Sequence, residues 1–256
     1  MKLIVLCADG LDPEFAANLE LHLPYEIELE IPKELLRSDG FPHTLDIWPS
    51  MFTGRICIYP TQIGPTVATG LRVPIRRWLH SHGISWHRKG MQIKDPKERA
   101  RARVIHSTPR LYKPSVDFTV LDNYRAFKYN IPAVSHDFTF GVNRPYAMEE
   151  FNTVSELARM IQFIPFYDVS ALYFRILDSL CHRVLPDDSQ NLDSWYSRTF
   201  MLAKSLRCPV MLVSDHGCAN GEHTLKAYLG CTEPVYSKTI LDVHDDIKRI
   251  LEGLTQ

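Results

Sequence analysis

The chain has 256 residues, an apolar fraction of 45% and ordinary numbers of glycine and proline, which fits one globular domain, since two compact domains would each be small. Its formal net charge is −1, so overall charge favours no class of partner. Any electrostatic argument must therefore come from a local imbalance of charge.

Continuous apolar runs predict three strands of a parallel sheet that is covered on both faces, at 2–8, 169–174 and 209–213. Apolar residues at helical spacing predict helices at 153–163, 193–206 and 240–251. This order predicts an α/β fold, specifically a three-layer α/β/α sandwich with a mostly parallel central sheet.

The middle of the chain has a different character. Residues 55–150 contain many charges, prolines and glycines, although 75–82 is consistent with a helix and 84–86 with a short strand. We therefore expect one hydrolase-like domain over 1–256, in which 55–150 is an insertion or cap near the active site.

The opening segment MKLIVLCADG is too short for a signal-peptide core and runs directly into an acidic residue. No stretch approaches the roughly 18 apolar residues that span a membrane. The six cysteines form no CxxC pair, which argues against a zinc ribbon or a redox motif, and we interpret them as reduced, buried thiols. We expect a cytoplasmic protein with no membrane partner.

Carboxylate and imidazole side chains cluster after the predicted strands, where open α/β sheets place their ligand sites. Taken singly, each is explained by a turn, a helix-surface contact or an exposed histidine. Together they indicate a metal site, because carboxylates brought so close would repel one another unless a cation neutralised them. The six side chains are Asp9, Asp178, His182, Asp215, His216 and His223.

Four segments in this order resemble the type I phosphodiesterase and nucleotide pyrophosphatase branch of the alkaline phosphatase superfamily. They are the opening LIVLCADGLDP, the Asp178 and His182 pair in a DxxxH pattern, VSDHG after an apolar run, and the closing SKTILDVHDDIKRIL. The resemblance covers roughly residues 1–54 and 160–251.

The resemblance implies two divalent metal ions, zinc or manganese. One would be held by Asp178, His182 and His223, and the other by Asp9, Asp215 and His216. It also implies a hydroxyl nucleophile nine residues before the threonine of a TG pair. In TLDIWPSMFTG this position is Thr44.

Two alternatives concern the nucleophile and the histidines. Ser50 is a second candidate nucleophile, although a serine before an apolar run commonly caps a helix. His80, His82 and His87 form a rival cluster, whose spacing matches no ligand pattern, and we predict that they bind no catalytic metal.

The chain departs from the family in ways that weaken the inference of its substrate. Asp46 stands where many members have a proline, two residues after the nucleophile. The YPxxHGI segment that often follows the TG pair is missing, and the asparagine that contacts phosphate in relatives acting on nucleotides cannot be placed.

The segment 72–113, hereafter the basic segment, carries 12 lysines and arginines and two acidic residues. The rest of the chain carries 17 lysines and arginines and 28 acidic residues. Such a patch would attract polyanionic substrates or nucleic acid, and Arg99, Arg101 and Arg103 are candidate substrate-binding residues. The same charges are also consistent with a solvated helix face. Interleaved aromatics that could stack on bases, or belong to the core, are Trp78, Trp86 and Tyr112.

These features favour a phosphodiesterase or nucleotide pyrophosphatase that acts on phosphorylated small molecules or nucleotides. A phosphomonoesterase, or another ester hydrolase of the superfamily, is the nearest alternative, because such sites keep their metals and vary around them. A relative that binds nucleic acid without catalysis is the alternative from another class. The six candidate ligands and the nucleophile, all present together, argue against it.

Overall fold

The structure is a computed structural model that describes residues 3–19, 21, 23–37, 40–59, 110–111, 114–135, 139–140, 166–175, 177–178, 207–219 and 222–253. In this part of the chain, no helix has both the length and the apolar character needed to cross a membrane.

Strands predominate among the described elements. The strands are β1 (Leu3–Ala8), β2 (Tyr25–Glu30), β3 (Arg110–Leu111), β4 (Ala126–Tyr129), β5 (Thr139–Phe140), β6 (Val169–Phe174), β7 (Val210–Val213), β8 (Cys218–Ala219), β9 (Glu222–His223) and β10 (Lys226–Cys231). The α-helices are α1 (Pro13–Asn18), α2 (Thr44–Thr53) and α3 (Val243–Gly253). Short 3-10 helices lie at Lys33–Leu35 and Val120–Asn123.

Six strands form the central sheet, in the order β2, β10, β7, β1, β6, β4. β1 lies at its centre and pairs in parallel with both β6 and β7, and β4 pairs in parallel with β6. β10 is antiparallel to both of its neighbours, so it alone runs against the other five strands. Because β7, β1 and β6 are adjacent and parallel, their carboxyl ends lie together at one edge of the sheet.

Alternate residues of β1 belong to different hydrophobic cores. Leu3, Val5 and Cys7 pack in a core that includes residues of α2 and α3, whereas Ile4 and Leu6 pack in a second core with residues of α1. Each side of the sheet is thus covered by helix, which confirms the predicted α/β architecture with a mostly parallel sheet.

The three predicted strands correspond to β1, β6 and β7. β6 has the predicted bounds, and β7 begins one residue later than expected, at Val210, because Pro209 has no N–H for the strand's hydrogen bonds. The predicted helix at 240–251 begins at Val243, because the Asp242 carboxylate accepts hydrogen bonds from the N–H groups of Lys238 and Thr239 and closes a turn first. The helices predicted at 75–82, 153–163 and 193–206 and the strand at 84–86 lie outside the described residues.

Part of the predicted insertion belongs to the central sheet. β4 lies within 55–150 and forms one edge of the sheet beside β6. The division of the chain into one domain with an insertion stays a prediction.

The cysteines correct one interpretation. Cys7, Cys57, Cys208 and Cys231 are free, and Cys181 lies outside the described residues. Cys218 is disulfide-bonded, so the interpretation of all six as reduced thiols is wrong there. Because disulfides are rare in the cytosol, the cysteines no longer support a cytoplasmic location.

Candidate metal centre

The ends of three adjacent parallel strands supply the acidic residues of the site. Asp9 directly follows β1, Asp215 lies two residues after the end of β7, and Asp178 lies four residues after the end of β6. The backbone holds two of these ends together, because the Asp178 N–H donates to the Asp9 carbonyl oxygen at 3.2 Å.

Asp9, Asp215 and His216 form the first group of candidate ligands, called group A. Their side chains are buried, with exposed fractions of 1%, 0% and 0%. His216 Nε2 lies 3.2 Å from Asp9 Oδ1 and 3.4 Å from Asp215 Oδ2. The three ligand atoms all lie within 4.8 Å of one another, so one ion could contact all three.

In each carboxylate of group A, one oxygen accepts hydrogen bonds from the protein and the other accepts none of acceptable geometry. Asp215 Oδ1 accepts hydrogen bonds from the N–H groups of Gly10 and His216, and Asp9 Oδ2 accepts one from the Tyr173 hydroxyl. The remaining buried oxygens, Asp9 Oδ1 and Asp215 Oδ2, have no hydrogen-bond partner of acceptable geometry. Two orphaned buried carboxylate oxygens beside one imidazole nitrogen fit a divalent cation.

Asp178 and His223 lie beside group A and form, with His216, a second group of possible ligands, called group B. His223 Nε2 lies 3.1 Å from Asp178 Oδ1, and the His216 and His223 rings stack with centroids 3.9 Å apart. His216 therefore belongs to both groups in the structure, whereas the sequence predicted it as a ligand of one ion only. His182, predicted beside Asp178 and His223, lies outside the described residues.

The two imidazoles are oriented in the same way. His216 Nδ1 lies 3.0 Å from the carbonyl oxygen of Gly217, and His223 Nδ1 lies 3.4 Å from that of Pro42. Because a carbonyl oxygen can only accept, the Nδ1 atoms carry the protons. Each Nε2 therefore faces the carboxylates, and a backbone carbonyl that orients a histidine in this way is typical of metal sites.

Gly10 is the residue that lets the strand ends approach. Its φ is +76°, a left-handed conformation that glycine adopts without strain. A Cβ at this position would meet the backbone N and Cα of Asp178 at 3.0 Å. Glycine is therefore required if Asp178 is to lie beside Asp9.

Thr44 is the first residue of α2 and is 5% exposed. Its Oγ1 lies 3.5 Å from His216 Nε2. The predicted nucleophile is thus the hydroxyl that the fold places against group A.

A buried ion pair fixes the first turn of α2, which carries Thr44. The Asp46 carboxylate is fully buried and accepts from Arg37 Nε at 2.6 Å, from Arg37 Nη2 at 2.8 Å and from the Tyr59 N–H at 2.7 Å. Where the sequence departs from the family's proline, the chain has an anchor between α2 and the segments on either side of it.

The alternative nucleophile, Ser50, lies inside α2 rather than before it. Its hydroxyl donates to the Asp46 carbonyl oxygen at 2.6 Å and accepts from the Cys57 N–H at 2.8 Å. These bonds connect Cys57 to the helix, so the serine hydroxyl has a structural role. The three rival histidines and the three candidate arginines lie outside the described residues.

Burial and mutual repulsion shift the titration of group A. Burial raises the pKa of the Asp215 carboxyl well above its usual range, and the neighbouring Asp9 carboxylate raises it further. Burial alone lowers the pKa of His216, but the Asp215 and Asp9 carboxylates outweigh burial and raise it to about 10. Without a metal ion, protons must therefore supply the positive charge that the carboxylates require.

Tyr173, Gly10 and the Arg37–Asp46 pair are missing from the residues predicted from the sequence. Tyr173 occurs within an apolar strand and is indistinguishable there from a core residue. A glycine directly after Asp9 was a usable signal, because a conformation that only glycine adopts easily is common where backbones approach closely.

No family model matches the chain, and no curated sequence matches it at a significant level. Solved structures do match. The PH0037 protein from Pyrococcus horikoshii is 10% identical with a TM-score of 0.51, over 99% of this chain and 96% of that one. A TAB5 alkaline phosphatase mutant with Mg bound is 10% identical with a TM-score of 0.49, over 98% and 97%.

Murine ectonucleotide pyrophosphatase/phosphodiesterase 5 is 12% identical with a TM-score of 0.44, over 85% of this chain and 57% of that one, so this chain spans little more than half of that relative. The likeness to the PH0037 protein, at 10% identity, shows a shared fold and nothing about activity. The structures named here include an alkaline phosphatase and an ectonucleotide pyrophosphatase/phosphodiesterase, which are the kinds of protein that the sequence motifs resemble.

Metal binding should release protons from group A. Because the pKa of His216 is raised from 6.5 to about 10, its Nε2 stays protonated across neutral pH and must lose that proton to bind an ion. We expect zinc or manganese affinity to rise with pH below about 10. Calorimetry in buffers of different ionisation enthalpy should give about one or more protons released per ion at group A.

The exposed pair of His244 and Asp245 offers a matched control, since His244→Asn removes an imidazole outside both groups. That variant should release the same number of protons as the unsubstituted protein. Metal binding with no proton release would contradict the protonated state of group A.

Proposed function

We propose that this protein is a metal-dependent hydrolase of phosphoric esters, which uses Thr44 as its nucleophile and two divalent ions, zinc or manganese. The observation that supports this proposal most is the hydroxyl of Thr44, which lies 3.5 Å from the His216 nitrogen that contacts the buried Asp9 and Asp215 carboxylates.

Group A would hold one ion. Asp178 and His223 would hold the other, together with His182. When bound, such ions act as Lewis acids that stabilise charge on phosphoryl oxygens and make a hydroxyl more acidic. The chain's own residues do the rest: the strand ends fix the ligands, and α2 fixes the nucleophile.

Thr44 Oγ1 would attack phosphorus in line with the leaving oxygen, so that a bond from threonine oxygen to phosphorus forms as the ester bond breaks. The proton of the Thr44 hydroxyl would pass to solvent as the hydroxyl attacks. Water would then cleave the phosphothreonine and restore the hydroxyl. Two inversions give net retention at phosphorus.

We further propose that the substrate is a phosphodiester or nucleotide pyrophosphate. The basic segment supports an anionic substrate, because its 12 lysines and arginines against two acids would attract negative charge. Described residues before and after it in the sequence contact the start of the helix that carries the nucleophile: Tyr59 packs against Leu45 and Ala133, and Leu45 follows Thr44 directly.

Thr44→Ala should lower turnover of the para-nitrophenyl diester of thymidine monophosphate by at least about a thousandfold, as loss of a nucleophile does elsewhere. Metal content and the free energy of unfolding should change little, because only a small polar group is lost. Quenching in acid should trap phosphate on the Thr44 peptide of the unsubstituted protein.

Two controls separate chemistry from folding. Thr44→Ser keeps the hydroxyl and should keep measurable turnover, whereas Ser50→Ala should lower stability, because the Cys57 N–H loses its acceptor. Full activity in Thr44→Ala, or phosphate trapped on Ser50, would disprove the role of Thr44. Faster hydrolysis of para-nitrophenyl phosphate than of the diester would instead favour a monoesterase.

The charges of the basic segment should matter for large substrates only. In R99Q/R101Q/R103Q, binding of a polyanionic oligonucleotide should weaken and its salt dependence should flatten, because fewer counterions are released. Hydrolysis of the small diester should change little. Affinity measured at several salt concentrations gives the slope.

A matched variant, K226Q/K248Q/R125Q, removes the same charge from exposed residues elsewhere. Its salt slope should stay close to that of the unsubstituted protein. Equal loss on both substrates in the arginine variant would show that those arginines support folding or the metal centre.

A further inference from the structure

The buried hydroxyl of Tyr173 donates a hydrogen bond to Oδ2 of the Asp9 carboxylate. Tyr173 lies in β6, paired with Cys7 of β1, and Asp9 is two residues beyond Cys7. Residues two apart on a strand point to the same face, so the phenol lies diagonally across from the Asp9 side chain. The register of two central strands thus brings the hydroxyl to Asp9 Oδ2.

The two carboxylates of group A are restrained by different means. Asp215 Oδ1 is held by the backbone N–H groups of Gly10 and His216, which no side-chain substitution removes. Asp9 Oδ2 is held by the Tyr173 hydroxyl. In both cases the oxygen left over faces His216 Nε2, at 3.2 Å from Asp9 and 3.4 Å from Asp215.

We infer that Tyr173 is a positioning residue for the ion at group A: its hydroxyl occupies one oxygen of Asp9, so that the other oxygen alone is presented to the ion. This inference rests on the proposed function. A hydrogen bond to a ligand that fixes its orientation contributes about 10- to 100-fold to metal affinity in other sites.

Tyr173 also connects the ligand to the helix that carries the nucleophile. Its ring packs edge-on against Trp48, with centroids 5.9 Å apart and planes at 87°. Trp48 follows Thr44 by one helical turn on α2 and is fully buried. Asp9, Tyr173, Trp48 and Thr44 therefore form one continuous chain of contacts and covalent structure.

Tyr173→Phe tests the inference, since it removes the hydroxyl and keeps the ring against Trp48. We expect zinc and manganese, each titrated alone into the metal-free protein, to bind one of the two sites about 10- to 100-fold more weakly, and the other site as before. Circular dichroism of the metal-free variant should show a melting temperature close to that of the unsubstituted protein, so both are folded during the titration.

Tyr228→Phe is the matched control. Tyr228 is also a buried strand tyrosine, on the opposite side of the sheet, and its hydroxyl has no hydrogen-bond partner of acceptable geometry in the described structure. The Tyr228→Phe variant should bind both ions with the affinities of the unsubstituted protein. Unchanged affinity at both sites in Tyr173→Phe, or equal loss in Tyr228→Phe, would overturn the inference while leaving the proposed function intact. No ion bound by the unsubstituted protein would overturn both.

Discussion

The Asp9 and Asp215 carboxylates are buried beside one imidazole, and the surrounding strand ends and helix hold them there. Two such groups removed from water carry a large desolvation cost and repel each other, so the folded chain needs positive charge between them. One oxygen of each carboxylate has no hydrogen bond of acceptable geometry, and His216 Nε2 lies 3.2 Å from that of Asp9 and 3.4 Å from that of Asp215. Such a site accommodates either protons or a metal ion, and the binding of one opposes the binding of the other.

The sheet explains how these groups come to lie together. β1 is central and parallel to both neighbours, so chain segments far apart in sequence end at the same edge. Gly10 then permits the close approach of Asp178, and α2 presents Thr44 to the cluster because Asp46 and Arg37 hold its first turn. The central strands and α2 thus hold together carboxylates whose burial and mutual repulsion are unfavourable.

Much of this arrangement could be predicted from the sequence. Apolar runs that end in acidic residues located β1, β6 and β7, and the nine-residue offset placed Thr44 where the structure brings it against His216. Strand pairing could not be predicted from apolar runs. The strands β2 and β10 were not predicted, and neither was the register that brings Tyr173 to Asp9. Register depends on contacts between distant segments, and a tyrosine in an apolar strand looks the same whether or not its hydroxyl has a partner.

Anomalous diffraction from crystals grown with zinc, recorded on both sides of the zinc absorption edge, would locate the ions. We expect two strong peaks per chain, one in contact with Asp9, Asp215 and His216, and the other in contact with Asp178 and His223. A map with no peak at Asp9 and Asp215, or with ions held only by other residues, would contradict this expectation.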